Sequence, residues 1–299
     1  MELRPPLPED APAVLGVLVA RDIADLGAPD YTLEDLLDTW DATDFDLAAD
    51  ALVAVSEEAR IVGYAAITGP GTFAAVDPAH EGRGIGARLL EWAERREREL
   101  GRRRHRQGVP ASDQRARALL LAAGYEPSRS YWRLTRQLDD LHATDEVPAG
   151  FSLRPLDADS DPEAVHDLAE LSFAGNADYR PRTFTTFCDE HLRAHDLDRA
   201  LSALAERDGE LVGFLLARCW REESVGFVDL LGVHPDHRGH GLATAMLHTT
   251  FSRFAAAGLR EAQLGVASDN PRALTLYERC GMTLRFRIDT YERLIRSEP

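Results

Sequence analysis

Two stretches of this chain repeat one pattern. VDPAHEGRGIGARLL runs from Val76 to Leu90 and VHPDHRGHGLATAML from Val233 to Leu247, an offset of 157 (233 − 76). The same offset places Pro78 on Pro235, Gly84 on Gly241, Gly101 on Gly258 and Gly124 on Gly281. Nearer each start, Leu3-Arg4-Pro5 matches Leu153-Arg154-Pro155 and Gly63 matches Gly213, both at an offset of 150 (153 − 3). Landmarks recurring at fixed spacing mean one fold used twice in tandem. The length of 299 residues agrees with two domains at one per roughly 150 residues. The acidic stretch from Gln137 to Gly150 ends in Pro-Ala-Gly and marks the boundary, giving domains at 1–140 and 151–299.

Each copy reads as a mixture of strands and helices, an α/β (α+β) class. In the second, the apolar run Val225 to Val233 reads as a strand, ended by His234-Pro235 because proline cannot donate to a ladder. Arg238-Gly239-His240-Gly241-Leu242-Ala243 follows, and then a helical pattern with Ala243, Met246, Leu247, Thr250, Phe251 and Phe254 on one buried face. Glycines let a phosphate approach the backbone, and a helix start aims unpaired N–H groups and about half a positive charge at the same spot. Arg238 adds a fork-shaped cationic donor. Strand, glycine turn and helix in that order make a pyrophosphate cradle.

Composition narrows the chemistry. A net charge of −17 argues against nucleic acid, whose binding rests on neutralising phosphates. The chain has no lysine, which excludes a P-loop, a Schiff base and a lysine general base. Cys188, Cys219 and Cys280 form no C-x-x-C, so neither a disulfide framework nor a zinc site follows, and a reducing cytoplasm fits. The apolar run Ala11 to Ala20 is too short to cross a bilayer and follows Glu9-Asp10 rather than a basic stretch. His191 and His195 stand at helical i, i+4 spacing, but no third metal ligand is apparent, and no metal is expected. G-x-G-x-x-G is absent from both turns, which disfavours a dinucleotide oxidoreductase.

The V-x-P-x-x-R-G-x-G-x-A turn, followed by Ser268-Asp269-Asn270-Pro271-Arg272-Ala273 with Tyr277 and Gly281, resembles the GNAT acetyltransferase superfamily. The resemblance covers both halves, and the tandem arrangement at this length is similar to the mycothiol synthases. It implies two GNAT-like domains, each a mixed, mostly antiparallel sheet flanked by helices. It also implies acetyl-CoA as cosubstrate and an N-acetyltransferase acting on a small-molecule amine, as a monomer or homodimer away from membranes. Residues implied to hold the cofactor are Leu231, Gly232, Val233, Arg238, Gly239, His240, Gly241, Leu242, Ala243 and Thr244, with Asn270 at the cofactor or ordering its loop. Tyr277 would sit near the thioester sulfur and protonate the leaving thiolate. A base must take the amine proton. Asp229 is the first candidate, in alternation with Leu231 and Val233; Glu222, Glu223 or water are rivals, and a salt-bridged Asp229 is the plain alternative.

In the first half Val76, Arg83, Gly84, Ile85 and Gly86 keep the turn. Glu81, however, stands where Arg238 stands, Asp113 falls on Asn270 and Leu120 on Tyr277. The strand equivalent to Ala262 to Val266 is expected at Arg102 to Arg106. This half is therefore expected to be non-catalytic, holding acetyl-CoA weakly or bracing its neighbour. The rival to an enzyme is a CoA-sensing pseudoenzyme. The acceptor is expected to meet the loop Gly175 to Arg182 and a last hairpin near Arg285 to Tyr291.

Overall fold

The computed structural model describes residues 1–69, 71–139, 147–175 and 179–295. Part of the expected boundary (140–146) and part of the expected acceptor loop (176–178) lie outside them.

In the first copy β1 (Glu2–Arg4) leads through α1 (Ala11–Leu26), α2 (Leu33–Trp40) and α3 (Leu47–Asp50) to β2 (Ala51–Val55), β3 (Ile61–Thr68) and β4 (Gly71–Val76). Then come α4 (Ile85–Glu99), β5 (Arg104–Pro110), α5 (Gln114–Ala122) and β6 (Glu126–Gln137). The second copy repeats the order with β7 (Ser152–Arg154), α6 (Pro162–Phe173), α7 (Phe184–Phe187), β8 (Ala203–Arg207), β9 (Glu210–Trp220) and β10 (Val225–Val233). It closes with α8 (Leu242–Ala256), β11 (Glu261–Ala267), α9 (Pro271–Arg279) and β12 (Thr283–Leu294).

The compact units are not the linear halves 1–140 and 151–299. One unit is Met1–Tyr131 with the chain from Phe286 onward; the other is Trp132–Arg285. The physical reason is strand pairing. The end of β12 runs antiparallel to β5, from Ile288 opposite Pro110 to Leu294 opposite Arg104, and the end of β6 lies beside β11. Each sheet is thus finished by a strand that begins in the other unit, and the expected last hairpin is a single long strand.

Each unit's sheet mixes antiparallel and parallel pairings. β1, β2, β3 and β4 form antiparallel ladders, whereas β4 meets β5 in parallel at Thr72 and Gln107. β7, β8, β9 and β10 repeat this, and β10 runs parallel to β11. β2 is buried throughout, as expected for a strand covered on both faces. Its alternate residues serve two cores. Val53 joins Val14, Leu18 and Tyr64 beneath α1; Leu52 and Ala54 join Ile85, Leu89 and Trp92 beneath α4. In the second unit Leu204, Phe214 and Leu216 pack under α6 and α7, while Ala205, Leu215 and Ala217 face Met246, Phe251 and Phe254 of α8. Burying each of those α8 side chains is worth about 2–3 kcal/mol. α8 also buries Leu242 and Ala245, one step round from the expected Ala243.

β5 lies at Arg104–Pro110, two residues past the start expected from the arginine run. His105, Gln107 and Val109 point inward, leaving Arg104 and Arg106 to pair with Glu292 on β12. No helix among the described residues is long and apolar enough to cross a membrane.

Candidate functional site

In the second unit the site lies where two parallel strands part. β10 and β11 pair from Val225 opposite Glu261 to Val228 opposite Leu264, and no further. On its other edge β10 shifts register between Val228 and Leu230, a bulge that breaks alternation. Leu230 therefore packs beneath α6 and α7, whereas Leu231 and Val233 pack toward α8. Asp229 does not share the face of Leu231 and Val233, as strict alternation would have it. It points toward the five-residue π-turn that follows α7 (Cys188–Leu192). Gly232 has a packing role: a Cβ there would lie 2.3 Å from Cε1 of Phe214.

Past Val233 the His234 ring accepts the Asp236 N–H at 3.2 Å, holding the turn Pro235–His237. Gly239 and Gly241 then adopt φ of +85° and +79°, the left-handed region that suits glycine. Gly241 caps α8 with no side-chain hydrogen bond. Among the described residues the N–H groups of Gly239, His240, Gly241, Leu242, Ala243 and Thr244 donate to nothing. Such a run at a helix start is an anion site. The Arg238 guanidinium, expected on phosphate, is instead bound to carbonyls, with Nε on Val233 O at 3.1 Å and Nη2 on Ser172 O at 2.8 Å. It braces the turn against the strand end and α6. His240 Nδ1 turns toward His237 O.

Asn270 is the N-cap of α9, its Oδ1 accepting the Ala273 N–H at 3.1 Å. It orders the loop, one of its two expected roles. Tyr277, on the same helix, is half-buried against the α8 core, and its hydroxyl has no hydrogen-bond partner among the described residues. Burial, and then the nearby Cys280, push the phenol up to about 12.

Asp229 sits in a buried charged network. Its Oδ2 accepts from His191 Nδ1 at 2.8 Å, and Oδ1 lies 3.2 Å from Arg218 Nε. Burial alone would push this carboxyl up, but the His191 hydrogen bond and the Arg218 charge outweigh it and hold the group below its usual range. Arg218 is fixed further by Asp196 at 3.1 Å and by Glu190 O at 3.0 Å. Glu222 and Glu223 are exposed in the turn before β10, at the opposite end of that strand from the glycine turn, and are not brought to the site. His191 turns to Asp229. No group of three or more His, Cys, Asp or Glu among the described residues could hold a metal ion.

The first unit keeps the same turn. Gly82 and Gly84 stand at φ of +73° and +78°, and Gly84 caps α4 without a side-chain bond. Asp113 caps α5, accepting from Arg115 and Ala116 N–H groups, as Asn270 does for α9. Between β4 and β5 lies a cavity of about 500 Å³, lined by Val76, Gly84, Ile85 and Gly86 and floored by Leu119 and Leu120; Arg83 stands outside the lining. Glu81 does not present a bare charge. Arg21 of α1 and Arg115 of α5 both bond it, the latter at 2.7 Å. Sequence reading missed these two arginines and the His191–Asp229 pair. The residues involved lie 34, 60 and 38 positions apart, and no local motif announces them.

The profile of the acetyltransferase (GNAT) family matches residues 20–125 and 163–282, one match in each copy. The mycothiol acetyltransferase of Streptomyces coelicolor is 31% identical over 233 residues, 74% of this chain and 72% of that protein. That of Beutenbergia cavernae is 30% identical over 253 residues, 79% and 81% of the two chains. Among solved structures, a GCN5-related N-acetyltransferase from Sphaerobacter thermophilus superposes with a TM-score of 0.82 at 27% identity, covering 100% of this chain and 96% of that one. A tandem GNAT protein from the clavulanic acid biosynthesis pathway shares the fold, with a TM-score of 0.78 at 20% identity over 100% and 99% of the chains. With a glycine turn, a helix start and a parting pair of parallel strands in each copy, the chain belongs to the GNAT family and is an acetyltransferase.

Proposed function

We propose that this protein is an acetyl-CoA-dependent N-acetyltransferase acting on a primary amine of a small molecule, with its chemistry in the second copy. The observation that carries this reading is the run of unpartnered N–H groups from Gly239 to Thr244, which begins six residues after the parted strand β10 ends at Val233. These residues fit a pyrophosphate at the helix start, and the unpaired edge of Leu231–Val233 fits the amides of a pantetheine arm. When bound, acetyl-CoA supplies an acetyl group on a good leaving thiolate. Arg238 keeps the turn in place through its carbonyl contacts, and Asn270 keeps α9 in place. The Tyr277 phenol, protonated well beyond neutral pH, donates its proton to the departing sulfur. Strand N–H groups near Gly232 are placed to receive a developing oxyanion.

The mycothiol acetyltransferase relatives make a cysteinyl amino-sugar the first acceptor to try; a cytoplasmic setting accords with such a metabolite and with the three free cysteines. The first copy is non-catalytic on this reading, because Leu120 offers no proton where Tyr277 does. Thiol release from acetyl-CoA with a panel of amines is the direct test. Release with a cysteinyl amino-sugar and not with a peptide amine is the expected result. Tight acetyl-CoA binding with no release for any amine would instead favour a sensor that binds without turnover.

A further inference from the structure

Resting on that reading, we propose that His191 is the general base of the second copy, with Asp229 as the residue that positions it. The imidazole lies on the π-turn after α7 and is nine-tenths buried. Its Nδ1 faces the Asp229 carboxylate at 2.8 Å. A carboxylate held ionised by Arg218 accepts from a proton-bearing nitrogen, so Nδ1 carries the hydrogen, and in the neutral ring the free lone pair lies on Nε2. That Nε2 is buried and has no hydrogen-bond partner. An unpaired buried acceptor costs about 1–3 kcal/mol, and such a group in a functional region asks for a ligand donor.

Position supports the role. Asp229 immediately follows Val228, the last residue of β10 paired with β11, so the imidazole stands against the strand at the apex of the fork. Asp229 itself is ill suited to take a proton. Both oxygens are engaged, and the charges that engage them hold it ionised. The charged groups around the ring are Glu190, whose Oε2 is 3.7 Å from Nε2 and is itself paired to Arg182 at 2.7 Å, and Asp229 with Arg218 from β10 and β9. The Phe187 ring lies 5.1 Å away between centroids, tilted against the imidazole.

The step then balances. The amine lone pair forms the C–N bond to the acetyl carbon while the C–S bond breaks and its electron pair leaves on sulfur. His191 Nε2 takes the N–H proton, and Tyr277 gives its phenolic proton to the sulfur. The protonated imidazole returns its proton to the phenolate through solvent, leaving amide and free thiol.

Three measurements test this on the full chain. In the resting protein, long-range proton–nitrogen NMR of the imidazoles is expected to show His191 as the Nδ1–H tautomer; an Nε2–H tautomer overturns the proposal whatever the activity. With acetyl-CoA and a cysteinyl amino-sugar, His191→Gln is expected to lower kcat/KM about a hundredfold or more and to remove the acid limb of its pH profile. Its acetyl-CoA Kd is expected within about twofold of wild type. Asp229→Asn is expected to keep the limb but shift it. A His191→Gln enzyme with wild-type turnover and an intact acid limb overturns the assignment alone, leaving the transferase reading in place. A wild-type protein that binds no acetyl-CoA overturns both.

Discussion

One difference between the two copies is a single hydroxyl. Tyr277 and Leu120 occupy matching places on α9 and α5, yet only one can give up a proton. Tyr277→Phe is expected to reduce turnover by roughly a hundredfold while leaving the acetyl-CoA Kd nearly unchanged, a split read directly from kcat and calorimetry. Because burial pushes this phenol up to about 12, its ionisation should leave no basic limb in the rate profile up to about pH 10. Asp22 of α1 gives a pH effect of another kind. Burial raises its carboxyl to about 6, against the lowering pull of the Asp30 N–H. A raised value favours the folded state below the unfolded pKa of about 3.9, and that contribution is lost as pH rises through 6. Asp22→Asn should therefore raise the melting temperature at pH 7 and not at pH 4, as thermal scans at the two pH values would show. The helix that carries Tyr277, and the start of it at Asn270, were legible in the sequence because their motif is local. His191 was not: its helical spacing to His195 reads as a helix surface, and its partner lies 38 residues away.

At the scale of elements, the fork between two parallel strands does the positioning, and its shape depends on residues with little or no side chain. Gly232 leaves room for the Phe214 ring against β10. Gly232→Ala is expected to cost about 1–3 kcal/mol as an overpacked core site, measured by denaturant unfolding; an unchanged midpoint would show that Phe214 moves away freely. β10 shows where pattern reading stops. The limits expected for this strand are those observed, Val225 to Val233. The inward and outward assignment still failed at Asp229, because one bulge reverses the phase of everything beyond it. No residue type in Val228-Asp229-Leu230 signals that bulge. β5 failed differently: a run of arginines drew attention to Arg102, while the buried alternation of His105, Gln107 and Val109 set the strand.

At the scale of the whole molecule, repetition was readable at once from glycines and prolines at a constant offset. The exchange of final strands was not, since β6 and β12 carry the same kind of alternating sequence whichever sheet they complete. Residues 1–140 expressed alone lack the strand that covers β5, and an open edge of that kind favours aggregation. This fragment is expected to associate or lose ordered structure. Fusing residues 286–299 to it should improve its behaviour, as size-exclusion chromatography and circular dichroism would report. A well-behaved monomer of 1–140 would mean that β5 needs no partner.

The traded strands bear on descent as well as on folding. A gene that duplicates and then swaps its closing segments no longer contains two interchangeable parts. Either copy of such a gene could lose its chemistry and still be retained because its sibling's tail is built into it. Recombination at the midpoint between two such genes would yield chains whose heads and tails come from different parents. Only parents that had kept matching edges would give offspring that fold.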